Sequence, residues 1–352
     1  MQQAMNEIHG GEIWQESRCL EHERDINNAI HQELVAFGFH PTAHWRIWKK
    51  GTQTIINCLV DDIRSCSTDY HCDLPYLFDQ NTTIITDNFI TCPTQYKVIQ
   101  LPKSFFGIYH YTPKNQQWNP VRDFGFAVNR IDHRRFMLML EIGLRVHLHK
   151  GHVNFNCYRT TANGLPESDI KEKAVTYWAE HWEQTGPDDK VKYQRSYEML
   201  AAQMPICNYE IEHDEIFTQS YLNIIAETYS SDNNISISEK IFRALVTPAP
   251  WTVSSGRYTV AYLHSLGFDT VSDLLDHNHY DKLIEVEDKQ RIFVWKSLEI
   301  IKMLQGQELD VLQTRFQRAA KHNQDLLARM FEQWPADFKA WTDQLRRTLS
   351  SQ

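Results

Sequence analysis

The chain contains no CxxC pair, although it has seven cysteines. Cys19, Cys58, Cys66, Cys72, Cys92, Cys157 and Cys207 are odd in number and scattered, which argues against both a zinc ribbon and a disulfide framework. Reduced thiols are expected. No apolar run reaches the roughly 18 residues that span a bilayer, and the opening MQQAMNEIHGGEIWQES lacks the basic-then-apolar order of a signal peptide. The expected location is therefore the cytoplasm, with no membrane partner. Positive charge is in deficit, with 36 Lys and Arg against 45 Asp and Glu, so the net charge of −9 exerts no overall pull on nucleic acid and leaves only a local basic face for it. No P-loop, G-x-G-x-x-G, G-x-S-x-G or H-E-x-x-H motif occurs, nor any internal repeat or low-complexity tract.

What is present is a folded-protein composition, 42% hydrophobic and 23% charged, on 352 residues. That length exceeds one ordinary core and implies two domains. Leu20, Ile26, Ile30, Leu34 and Phe37 fall on one helical face, with Gly38 as the stop. After Pro41 come short β-branched and aromatic runs, WRIW, TIINCLV, TTIIT, YKVIQL and FFGIYHY, which predict a strand-rich first lobe. Residues 112–120, TPKNQQWNP, carry proline near both ends and read as a linker.

Beyond it strands and helices alternate. RDFGFAV reads as a strand, HRRFMLMLEIGLRVHLHKG as a helix closed by Gly151, HVNFNCY as a strand, and DIKEKAVTYWAEHWEQTG as a helix closed by Gly186. SYLNIIAETY is a strand, SEKIFRALV a helix, WTVSS a strand, RYTVAYLHSLG a helix and FDTV a short strand. Such alternation specifies a parallel sheet with crossover helices, whose ligands sit at the carboxyl ends of the strands. From about residue 288 the chain is helical, with Ile292, Trp295, Leu298 and Ile301 on one stripe and a polar, charged tail after Gln305.

The chemistry concentrates at ISISEK, residues 235–240. Ser236 and Glu239 have the S-x-x-E spacing of a capping box. Lys240 in the first turn of a helix opposes the dipole, a cost that an anion docked on the free N–H groups would remove. The preceding strand ends in Ala226 and Glu227, where a polar residue meets a ligand at the sheet edge.

FTQSYLNIIAETY, then ISISEKIFRALVTPAPWTVSSGRYTVAYLHSLGFDTVSDLLDH, resembles the donor half of GT-B glycosyltransferases over about residues 121–300. More narrowly it is similar to phage-encoded and bacterial glycosyltransferase-like proteins, and more distantly to the α1,3-fucosyltransferase pattern of a strand ending in FEN followed by a TEK or SEK helix start. The resemblance implies an α/β fold of two Rossmann-type lobes facing across a cleft with a helical C-terminal tail. It implies an acceptor lobe over 1–118, a nucleotide-sugar lobe over 119–305 and a helical extension over 306–352. It implies metal-independent, inverting transfer with the nucleotide sugar as co-substrate and no cofactor. Tyr221, Glu227, Ser238, Glu239 and Lys240 are the implied donor contacts, joined by Arg130 and Arg134 from FAVNRIDHRRF. AET stands where fucosyltransferases have FEN, which leaves sugar and base open.

The first lobe is then expected to hold the acceptor and a catalytic base within reach of its hydroxyl. Asp62 and Asp87, past the apolar runs of NCLVDDIRS and IITDN, are the candidates, with His110 beside them. Asp61 with Asp62 also fits the acidic metal motif of GT-A enzymes. The acceptor class, glycan, protein or DNA, stays open. A hydroxylated base in phage DNA is one alternative, for which HWRIWKKG offers Trp45 and Trp48 among Arg46, Lys49 and Lys50. Another is a non-catalytic nucleotide-sugar or nucleic-acid binding protein on the same scaffold. The histidines of VHLHK and HNHYDK read as surface positions.

Overall fold

The computed structural model describes residues 25–42, 47–58, 81–86, 89–90, 97–109, 111, 113, 117–128, 133–145, 150–155, 176, 178–203, 213–227, 234–235, 237–283 and 288–351. It is mixed α/β with parallel strands and a long C-terminal helix. Two compact units interleave along the chain: the first comprises Met1–Thr112, Ser231–Phe242 and Asn323–Gln352, the second Pro113–Ser230 and Arg243–His322. The sequence suggested continuous lobes followed by a separate extension; instead two later segments return to the first unit.

In the first unit, helix α1 (25–36) buries Ile26, Ile30 and Leu34, and the chain leaves it through Gly38 at φ 79°, the left-handed conformation that glycine adopts without penalty. The sheet order is β1 (His40–Pro41), β2 (Ile47–Lys50), β3 (Gln53–Cys58), β4 (Thr82–Thr86), β6 (Lys97–Gln100). β2 and β3 form an antiparallel hairpin, whereas β3, β4 and β6 are parallel. Every residue of β4 is buried, because it lies inside the sheet with neighbours on both edges. FFGIYHY proves not to be a strand. Lys103–Tyr109 is a 3-10 helix with Phe105, Phe106, Ile108 and Tyr109 all buried, and a continuous apolar run does not distinguish those two outcomes. Gly107 lies so close to the C-terminal helix that a Cβ there would overlap the backbone of Met330 and Phe331.

The second unit is built on a parallel sheet of order β11 (Trp251–Ser254), β9 (Asn223–Ala226), β7 (Phe124–Val128), β8 (Gly151–Phe155). Its helices are α2 (His133–Arg145), α3 (178–184), α4 (Pro187–Gln203), α5 (His213–Thr218), α7 (Thr259–Ser265), α8 (Asn278–Asp281) and α9 (Asp288–Gln305), with α6 (Glu239–Val246) spanning the boundary between the units. Gly151 does not stop a helix. It opens β8, where a side chain would overlap the Phe124 ring. Trp118, placed by sequence in a linker, is completely buried, and its indole N–H donates to the Ser220 carbonyl at 2.7 Å.

FDTV is likewise not a strand: Val271 sits at φ 55°, and its N–H donates to the Asp269 carboxylate at 2.9 Å. Arg315 then binds Asp269 through both terminal nitrogens, at 2.7 and 2.8 Å, and Asp273 at 2.9 and 2.5 Å. Burial raises the pKa of Asp269, but the Arg315 hydrogen bonds outweigh it and hold the carboxyl below the usual carboxylate range. Arg315 belongs to α10 (Leu309–Ser350), the stretch read as a polar tail. It is one amphipathic helix burying Leu312, Phe316, Ala320, Leu327, Trp334 and Leu345 at helical spacing. The stripe expected on α9 is also displaced. Phe293, Val294, Ile300, Ile301 and Leu304 are buried, and Trp295 is half exposed.

In HNHYDK His279 is exposed as expected, whereas His277 is buried, with Nε2 2.9 Å from the Thr270 carbonyl; a carbonyl only accepts, so Nε2 carries the proton and Nδ1 accepts from the Tyr280 hydroxyl. Burial pushes its pKa down to about 4.

Two consequences can be measured. Because the folded pKa of His277 lies below its unfolded value, the unfolded chain binds the extra proton, and stability present above about pH 6.5 is lost on acidification. Chemical denaturation should show about 2 kcal/mol less stability at pH 5 than at pH 7.5 from this residue, and His277→Gln should flatten that slope. Gly107→Ala should cost about 2–3 kcal/mol through overpacking. Gly186→Ala, with open space around its Cβ, should stay within about 0.5 kcal/mol of wild type.

Candidate functional site

The second unit's strand order identifies where its ligand site belongs. β7 comes first in the chain, β8 lies on one side of it and β9 on the other, so the winding direction reverses between β7 and β9. At such a switch point the connecting loops diverge and open a crevice at the carboxyl ends of the strands. α2, which follows β7, carries His133, Arg134 and Arg135 in its first turn and no acidic residue there. The N–H groups of a helix's first turn have no intrahelical acceptor, and the dipole adds positive potential. Three basic residues oppose that dipole unless an anion or carbonyl oxygens answer them.

Carbonyl oxygens answer two of them. The Arg134 guanidinium donates to the Glu227 carbonyl, and Arg135 donates to the Ala226 carbonyl at 3.0 Å. Arg135 and Glu227 are almost fully buried, 2% and 1% exposed. The Glu227 N–H donates to the Ser254 carbonyl of β11 at 3.0 Å, and the Gln290 amide of α9 donates to the Arg134 carbonyl at 3.2 Å. The carboxyl end of β9 is thus tied to α2 on one side and to β11 on the other. NIIA forms this strand because all four of its residues are buried in the sheet, and α2 holds its register by burying Phe136, Met139, Leu140 and Ile142. The result is two guanidinium groups and one buried carboxylate residue at the strand edge where parallel α/β sheets receive their ligands.

Of the residues nominated from sequence, Arg134 and Glu227 are brought together here. Tyr221 is not. It precedes β9 at the amino end, opposite the ligand edge, where its ring meets Trp118 edge-on at 6.1 Å. Asp61, Asp62, Asp87, His110 and Arg130 lie outside the described residues. Ser238, Glu239 and Lys240 are described, but in the first unit. There β10 (Asn234–Ile235) pairs antiparallel with β5 (Phe89–Ile90), and Phe242 stacks on Tyr109 at 4.9 Å.

α6 starts at Glu239, so Ser238, rather than Ser236, holds the N-cap position, and its hydroxyl accepts the Lys240 N–H at 3.4 Å. The Lys240 ammonium lies 3.0 Å from the Glu239 carboxylate and 3.4 Å from the Ser238 hydroxyl. Its charge is met locally, which offsets its unfavourable place on the dipole. In HWRIWKKG, Trp48 is core, 3% exposed and edge-on to His31, so it offers no stacking face to a nucleic acid base, while Lys49 and Lys50 are exposed.

Arg135 was missed from sequence. Its neighbour Arg134 is nominated with Arg130 from FAVNRIDHRRF, whereas Arg135 reads only as part of the helix HRRFMLMLEIGLRVHLHKG. The available signal was the pair of adjacent arginines in a first turn without acid. Among the described residues, no group of three His, Cys, Asp or Glu side chains is arranged to hold a metal ion, and no helix is long and apolar enough to cross a membrane. No family model, curated protein or solved structure matches the chain.

Removing the buried guanidinium should expose its role. Arg135→Met leaves the Ala226 carbonyl without its charged donor and should cost about 2–3 kcal/mol in urea denaturation. Arg134→Met, at a half-buried position where water can replace part of the lost donor, should cost less, about 1–2 kcal/mol.

Proposed function

We propose that this chain is a glycosyltransferase of GT-B type that transfers a sugar from a nucleotide-sugar donor to a hydroxyl acceptor. The convergence of Arg134, Arg135 and Glu227 on the β7–β9 switch point is the observation that carries this reading. A diphosphate placed there would meet the first-turn N–H groups of α2 and the Arg134 guanidinium, which together stabilise the negative charge that develops on the leaving nucleotide. That is the electrostatic role a divalent metal fills in other transferases, so the proposed transfer is metal-independent. A carboxylate at Glu227 suits hydrogen bonds from sugar hydroxyls.

The choice of sugar transfer over other nucleotide chemistry comes from the resemblance of SEKIFRALV to the fucosyltransferase helix start, while AET in place of FEN leaves sugar and base open. By that resemblance Glu239 and Lys240 are also proposed donor residues. The first unit is proposed to receive the acceptor, with Asp62 or Asp87 as the base of an inverting displacement.

Thermal unfolding in the presence of UDP-, GDP-, dTDP- and CMP-sugars tests the reading. A donor at 100 times its dissociation constant adds about 2.7 kcal/mol of stability, so one nucleotide class should raise the melting temperature by several degrees. Arg134→Ala, measured against its own lower unliganded melt, should remove most of that rise. Absence of any rise with millimolar nucleotide sugar would overturn the proposal.

A further inference from the structure

The loop after β11 leaves the sheet at its carboxyl edge, beside the end of β9, where the Ser254 carbonyl that closes β11 accepts the Glu227 N–H at 3.0 Å. Ser254 and Ser255 are buried, and the chain then turns outward through Arg257 and Tyr258, both half-buried. Tyr258 sits at φ 65°, a left-handed conformation that is costly for a residue with a side chain and persists only where neighbours hold it.

The end of α8 supplies those neighbours. The Tyr258 N–H donates to the Asp281 carbonyl at 2.7 Å, and the Asp281 carboxylate accepts the Val260 N–H at 2.9 Å and the Ala261 N–H at 3.0 Å. The Lys282 carbonyl accepts the Arg257 Nε–H at 3.0 Å. The Arg257 guanidinium is held a second time by stacking, its carbon 4.6 Å from the centroid of the Tyr258 ring.

Arg145, Arg315 and Arg346 each pair with carboxylates. Arg257 does not: among the described residues no carboxylate pairs with it, and no acceptor meets its two terminal nitrogens. With Nε engaged, the edge left over is the fork of terminal nitrogens, which matches an oxyanion bidentately. A guanidinium already held by a stack and a carbonyl loses little freedom when it binds one.

Position selects the oxyanion. β9 lies between β7 and β11, so the carboxyl ends of those two strands are about 10 Å apart. Arg134 follows β7 and Arg257 follows β11, so a ligand entering over the end of β9 passes between two cations. We propose that Arg257 binds one phosphate of the donor's diphosphate through its terminal nitrogens, while Arg134 and the first turn of α2 hold the other. The proposal rests on the nucleotide-sugar reading above and adds a second cation to it. Two guanidinium groups then face the two negative charges of a nucleotide sugar's diphosphate, the balance that a divalent metal supplies in other transferases.

Titration calorimetry with UDP, GDP, dTDP and CDP on wild type, Arg257→Gln and Arg257→Lys tests it. Wild type should bind at least one of the four, and in Arg257→Gln the dissociation constant should rise about tenfold or more, the usual effect of losing hydrogen bonds to a charged group. Arg257→Lys keeps the charge without the fork and should recover part of that loss. Because Arg257 is half-buried at the surface, both variants should fold, with unliganded melts close to that of wild type. An equal loss in the two variants would assign Arg257 to anchoring the loop through Lys282 and overturns the phosphate contact. Binding that Arg134→Ala abolishes but Arg257→Gln weakens by less than about tenfold overturns the Arg257 assignment alone. Failure of wild type to bind any of the four diphosphates overturns the donor-site reading and this assignment with it.

Discussion

The second unit is organised around one demand: the carbonyl groups where β9 ends must find donors in a place that water does not reach. Ala226 and Glu227 are buried, and an unmet carbonyl there would cost as much as a lost hydrogen bond. Arg134 and Arg135 meet that demand from α2. Their positions require α2 to begin immediately beside the switch point, and they gather basic side chains where the helix dipole is already positive. The groups that close the end of β9 therefore also concentrate positive charge at the carboxyl edge of the sheet.

Several other elements follow from close backbone approach. Gly125 lies where a Cβ would meet Asn223 Oδ1 at 2.7 Å and Ser220 Oγ at 2.8 Å, so β7 and the entry to β9 come together only because that side chain is missing. Asn223 in turn donates from its amide to the Phe217 and Pro250 carbonyls, joining α5, β9 and the start of β11. In the first unit Gly107 does the same for the 3-10 turn and the C-terminal helix, while Phe105 and Trp334 meet edge-on at 5.6 Å. Arg346 forms a two-pronged ion pair with Glu33 of α1, at 2.8 and 2.6 Å, between parts of the chain 313 residues apart.

Much of the parallel sheet was legible because its strands are short apolar runs separated by amphipathic helices, a pattern with a period of its own. Glu227 was legible for the same reason: once a strand is placed, the residue at its carboxyl end is placed too. Runs buried on every side defeated the reading. FFGIYHY is apolar throughout and gives no period to separate a 3-10 turn from a strand, and the charges of α10 conceal an apolar stripe spread over 42 residues.

The sequence by itself determined the element types wherever periodicity was clear, and with them the α/β class and the strand end at Glu227. These depend on residues near one another in the chain. Only the tertiary structure decided that Arg135 would be buried against Ala226, that the SEK segment would join the first unit through β10 and Phe242, and that His277 would be buried and neutral. Each of those outcomes depends on a partner tens of residues away or on burial by surrounding elements, and local periodicity records neither.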